Sequence, residues 1–149
     1  MSRYRSEIRL RWGDMDSYQH VNNVSWSVYV QEARASMFGF RLRGTPGETL
    51  LGSLVVARAR LWFQRPLIVR AAPLVAHTWI SQLRAAAVTV ECELHDDETG
   101  EGTAYCRSRT VLAPFDFDAD RVRRLTPEEM ATLEPFVEAL EPAQVSPGR

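Results

Sequence analysis

Trp12-Gly13-Asp14-Met15-Asp16-Ser17-Tyr18-Gln19-His20-Val21-Asn22-Asn23 gathers two carboxylates, a histidine and two asparagines between a strand-patterned segment and a helix-patterned one. On its N-terminal side Glu7 to Trp12 alternates, with Ile8, Leu10 and Trp12 on one side and Glu7, Arg9 and Arg11 on the other, as in a half-buried strand. Asp14 and Asp16 are therefore expected just past a strand end. On the C-terminal side Asn22 or Asn23 suits an N-cap, because an amide oxygen can accept from an otherwise orphaned N–H of the first helical turn. A helix starting there would place its free N–H groups within reach of Asp16, an arrangement suited to catalysis.

The helix is expected to run from Asn23 to Phe38, with Gly39 as its left-handed C-cap. Val24, Trp26, Val28, Tyr29, Val30, Ala33, Ala35, Met37 and Phe38 leave no wide polar face, so burial on most sides is predicted. After a Gly- and Pro-containing loop, four alternating strands follow. The first has Val55, Ala57, Ala59, Leu61 and Phe63 on one face, with Val56, Arg58, Arg60 and Trp62 on the other, and Pro66 ends it. The others are expected over Leu74 to Leu83, Ala87 to His95 and Thr103 to Ala113, with Asp97-Glu98-Thr99-Gly100 turning the last two into a hairpin. A turn centred near Thr99 would set Glu91 opposite Arg107 and Cys92 opposite Cys106, pairing charge on one face and apolar groups on the other.

Thr126-Pro127-Glu128-Glu129 has the form of a capping box with proline at the first helical position, and Met130, Leu133, Val137 and Leu140 recur at helical spacing. Pro135 should kink or divide this C-terminal helix. Residues 1–140 read as one domain and 141–149, rich in Pro, Gly and Ser, as a disordered tail. The element order gives an α+β fold in which a five-stranded antiparallel sheet curls around the apolar helix. Its open edges point to a dimer, since exposed edge strands are commonly paired or covered.

At 149 residues and 45% hydrophobic content the chain has the size of one globular domain. A net charge of −1 provides no basic field for nucleic acid. The N-terminus lacks the apolar core of a secretory signal, and no run approaches the length of a membrane span, so a cytoplasmic location is expected. Two cysteines do not make a disulfide framework and should remain core thiols. His20, His77 and His95 are too scattered in sequence for a ligand set, so no metal or cofactor is expected. His77 reads as an ordinary strand residue.

Asp14-Met15-Asp16, His20-Val21-Asn22-Asn23 and Glu32-Ala33-Arg34, with the order of elements, resemble the hotdog-fold acyl thioesterases of the 4-hydroxybenzoyl-CoA thioesterase and acyl-ACP thioesterase type. The resemblance spans Glu7 to Ala113. It implies a hotdog fold, hydrolysis of an acyl-CoA or acyl-ACP, and assembly as a homodimer or dimer of dimers. It also implies that Asp16 acts as nucleophile or general base and that the Asn23 backbone N–H, aided by the helix dipole, is the oxyanion donor. Asp14 is assigned to positioning the loop. Tyr18, His20, Asn22 and Trp26 are expected to contact substrate. With lysine absent, CoA phosphates would fall to arginines, Arg58, Arg60 and Arg84 foremost, with Arg65, Arg107 and Arg109 as further candidates.

Two features depart from the pattern. Where many relatives carry a hydroxyl residue, near positions 84 to 88, this chain has Ala85-Ala86-Ala87. The hydratase form of the loop, Asp-x-Asn-Pro-x-His, is also unmatched, because Ser17-Tyr18 stand in place of asparagine and proline. The alternatives to hydrolysis are a non-catalytic acyl-CoA-binding hotdog module and an acyl-thioester hydratase or dehydratase.

Overall fold

The computed structural model describes residues 3–142, so most of the tail expected over 141–149 lies outside the described residues. Strands β1 (Tyr4–Ile8), β2 (Leu54–Phe63), β3 (Leu74–Arg84), β4 (Ala87–His95) and β5 (Cys106–Asp116) form one antiparallel sheet in the order β1-β3-β4-β5-β2. A two-residue strand, β6 (Arg121–Val122), pairs with β5. Helix α1 (Asn23–Ser36) lies against the inner face of this curled sheet, and α2 (Pro127–Leu133) lies beyond β6 in the chain. The α+β architecture is the expected one.

The buried stripe of α1 is Trp26, Tyr29, Val30, Ala33 and then Met37, at helical spacing. The opposite stripe is open: Val24 is 71% exposed and Val28 37%, so burial on most sides is not realised within one chain. The sheet curls around only part of the helix. Nor does the helix stop at Gly39. It passes through that residue as a wider π turn over Met37–Arg41, with no left-handed cap there, and Phe38 and Met37 bury in the second half of the core.

The first strand begins and ends earlier than its alternation suggested. Its pairing with β3 stops at Ile8↔Leu74, and Trp12 is 72% exposed at the start of a short 3-10 turn. In β2 a bulge at Ala57 breaks the alternation, so Val56 rather than Val55 pairs with the inward Leu112, while the predicted faces hold from Arg58 to Phe63.

The β4–β5 register is displaced by two residues from the expected one. Glu91 faces Arg109, Glu93 faces Arg107, Cys92 faces Ser108 and Leu94 faces Cys106. The connection is longer than a tight turn, with Gly100 and Gly102 at φ 65° and 78°, and β5 starts at Cys106 rather than Thr103. A slip of two keeps every side chain on its predicted face, so the charged and apolar faces survive it. The capping box of α2 forms as read, with Thr126 Oγ1 accepting from the Glu129 N–H and Glu129 accepting from the Thr126 N–H. Pro135 divides the helix. A 3-10 turn over Glu134–Phe136 follows, and Val137 then bridges to Ile80 of β3.

Candidate active site

Asp14 closes the 3-10 turn that precedes α1, and it is buried. Its Oδ2 accepts the Tyr29 hydroxyl at 2.6 Å and its Oδ1 accepts Arg11 Nη2 at 3.0 Å. Its carbonyl accepts the Ser25 hydroxyl and the Asn22 N–H, both at 3.0 Å. Burial pushes the Asp14 carboxyl up, but the hydrogen bonds from Arg11 and Tyr29 outweigh it and hold the group below the usual carboxylate range. For Tyr29, burial first and the bond to Asp14 second raise the hydroxyl well above its ordinary value. Both Asp14 oxygens are committed, so this aspartate ties the loop to the helix.

Asp16 is held differently. Its Oδ1 accepts the N–H groups of Tyr18 (2.9 Å) and His20 (3.2 Å), and its own N–H donates to the His20 carbonyl at 2.9 Å. Gln19, at φ 61°, closes this tight loop. Among the described residues Oδ2 has no partner. The loop is braced from behind by the chain after Pro66: the Val21 N–H donates to the Leu67 carbonyl at 2.8 Å, and His20 bridges to Ile68.

Asn22 is the N-cap, its Oδ1 accepting the Val24 N–H at 2.7 Å, and its carbonyl takes the Ser25 and Trp26 N–H groups. The Asn23 N–H, first of the helix, has no acceptor among the described residues. Asp16, His20, Asn23 and Trp26 line one side of an open cleft of about 320 Å³, and Phe63, Arg65 and Pro66 line the other. A carboxylate with one uncommitted oxygen thus shares a cleft with a helix N-terminal donor. A base and a donor aimed at a developing oxyanion are what carbonyl hydrolysis needs.

Of the other predicted residues, Trp26 stays with the cleft and the rest disperse. Trp26 is 2% exposed and forms the cleft wall, with its ring stacked on Tyr105 at 6.2 Å. Tyr18, 77% exposed, projects from the loop tip, and the cleft is walled without it. Arg58 and Arg60 lie on the outward face of β2 beside Arg109, around a separate hollow. Arg84 ends β3, ten residues from Leu74 and so roughly 30 Å along the strand from the cleft end of the sheet. Ala85 and Ala86 form the turn beside it, so a hydroxyl at those positions would not reach Asp16 of the same chain.

Sequence reasoning passed over Tyr29, Ser25 and Arg11 as the groups that fix Asp14. The spacing of Ser25 and Tyr29, four apart on one helix face, was the available signal. It also treated the three histidines as scattered, yet β3–β4 pairing brings the rings of His77 and His95 to 5.3 Å. Among the described residues no three His, Cys, Asp or Glu side chains cluster as a metal site.

A family model described as the thioesterase-like superfamily matches residues 10–139. No curated protein matches the chain. Among solved structures, a predicted thioesterase from Bacillus stearothermophilus superposes with a TM-score of 0.77 at 19% identity, over 93% of this chain and 98% of that one. A thioesterase from Thermus thermophilus, solved with coenzyme A and zinc, gives 0.73 at 20% identity, over 89% and 92%. A Pseudomonas aeruginosa protein, a thioesterase by provisional assignment, gives 0.70 at 27% identity, over 88% and 98%.

Proposed function

The chain belongs to the thioesterase-like superfamily, and from that premise we propose that it hydrolyses an acyl thioester, acyl-CoA or acyl-ACP, to the free acid and thiol. The observation that carries this reading is the cleft lined both by Asp16, whose Oδ2 is uncommitted among the described residues, and by Asn23, whose N–H has no acceptor among them. In this reading the thioester carbonyl lies over the start of α1. Asp16 attacks the carbonyl carbon or takes a proton from the water that does, and charge developing on oxygen is met by the Asn23 N–H and the helix dipole. One such donor contributes on the order of 3 kcal/mol of transition-state stabilisation. His20 and Asn22 keep the loop in place, Trp26 backs the acyl group, and Tyr18 on the loop tip meets the thiol portion. Arg58, Arg60 and Arg84 are proposed to meet CoA phosphates, Arg84 from a second subunit.

The functional unit in this reading is a homodimer or dimer of dimers of the 1–140 domain, in the cytoplasm. The support is the long edge strand β2, exposed from Val56 to Arg60, and the bare Val24 and Val28 stripe of α1. No helix among the described residues is long and apolar enough to cross a membrane. No metal or cofactor enters the reaction as written. Thiol release from a panel of acyl-CoAs, with and without EDTA, tests the reading. Release that survives EDTA is expected, and binding without release would favour the acyl-CoA-binding module.

A further inference from the structure

The core beneath α1 is divided. One apolar cluster, including Trp26, Tyr29, Leu74 and Leu94, lies under its first half, and a second, including Met37, Phe38, Ile80 and Leu112, lies under its end. Where they meet, the inner face of the sheet carries Thr78 on β3, Cys92 of the first cluster on β4, and Ser108 and Thr110 on β5, each at most 2% exposed. Thr78, Cys92 and Ser108 are register partners across three strands. The Ser108 hydroxyl has no hydrogen-bond partner among the described residues.

Into this polar belt α1 inserts Arg34, whose Nη1 donates to Thr110 Oγ1 at 3.4 Å. No carboxylate faces it among the described residues: burial lowers its pKa, and the only group acting against that is the Cys92 thiol. Arg34 is half-buried; withdrawing a charge part-way from water without a counter-charge carries a cost, and a guanidinium does not escape it by losing its proton. Arg34 lines a pocket of about 170 Å³ between α1 and β2, together with Phe38, Leu54, Val56 and Leu112.

That pocket and the Asp16 cleft lie on one seam. Asn23 and Trp26 on the helix and Phe63 on the strand mark one end, and Arg34 and Phe38 with Val56 and Leu54 mark the other. Eleven residues of helix from Asn23 to Arg34 span about 16 Å. Helical side chains lean toward the helix N-terminus, which brings the guanidinium nearer the cleft than its Cα.

We propose that the acyl group accepted here carries a second carboxylate at the end remote from the thioester, and that the Arg34 guanidinium binds it in the seam between α1 and β2. The inference rests on the thioesterase reading and names its substrate class. A carboxylate fits the planar fork of arginine through two parallel hydrogen bonds, and the unpaired Ser108 hydroxyl lies one same-face position from Thr110. A plain alkyl chain would leave the charge desolvated and unpaired.

The test compares thiol release from suberyl-CoA and octanoyl-CoA, and from adipyl-CoA and hexanoyl-CoA, by the full chain. The dicarboxylic member of each pair is expected to have the higher kcat/KM, by about 10- to 100-fold, the effect of a charged hydrogen-bonded pair. Arg34→Gln should collapse that ratio and Arg34→Lys should retain part of it; Thr110→Val is a second variant should Arg34→Gln not fold. A wild-type preference for the plain chains, or a ratio untouched by loss of Arg34, overturns the proposal. Calorimetric binding of suberate against octanoate reads the same contact without turnover. If suberate binds through Arg34 while no thioester is cleaved, the carboxylate pocket stands and the thioesterase reading falls. If thioesters are cleaved without Arg34-dependent selectivity, the reverse holds.

Discussion

The Tyr29 hydroxyl donates a 2.6 Å hydrogen bond to Oδ2 of Asp14, so the second turn of α1 pins the loop that presents Asp16. Tyr29→Phe leaves a buried carboxylate short of one partner and is expected to cost about 1–3 kcal/mol of stability at neutral pH. Because the folded pKa of Asp14 is depressed, its contribution is fully present above the unfolded carboxylate value, about 3.9, and is lost as pH falls through the lower folded value. The wild-type and Tyr29→Phe stabilities should therefore converge on acidification below about pH 4. Denaturant unfolding at pH 7 and pH 3 checks this, and a difference that does not shrink would rule out Asp14 as the linked group.

Asp16→Asn preserves size and the Oδ1 contacts but removes the charge. Turnover of an acyl-CoA should fall about 100- to 10,000-fold, with a smaller change in KM. Asp14→Asn should do less to turnover and more to stability, because both Asp14 oxygens are spent on Arg11 and Tyr29. Steady-state kinetics with matched thermal melts separates the two. Retention of more than about a tenth of wild-type turnover by Asp16→Asn would remove Asp16 from the mechanism.

Light scattering should give at least twice the 16.9 kDa chain mass. Val28→Glu, on the exposed stripe of α1, should shift the mass toward the monomer and lower activity with it. Full activity in a monomeric species would contradict an interface site.

Cys92 and Cys106 are both buried and unbridged, and burial pushes each thiol up to about 12. Neither should react with iodoacetamide at pH 8 in the native state, and both should react in denaturant. Mass spectrometry of the alkylated chain counts them.

Local signals carried much of this molecule. The N-cap at Asn22, the capping box at Thr126, the extents of β3 and β4 and the opposed charges of β4 and β5 depend on residues within a few positions or on strand parity, which a slip of two leaves intact. The motif from Asp14 to Asn23 likewise marked where a site could form. Tertiary structure decided what depends on distant partners. The bulge at Ala57 appears only in pairing with β5, and α1 runs through Gly39 because Met37 and Phe38 have a second core to fill. The cleft exists because residues 63 to 66, more than forty positions downstream, close against Asp16, and Arg34 became a half-buried cation only when Thr110 and Cys92 were brought beneath it. Helix and strand periodicity assign a side chain to a face, but its electrostatic surroundings are set by the elements packed against that face.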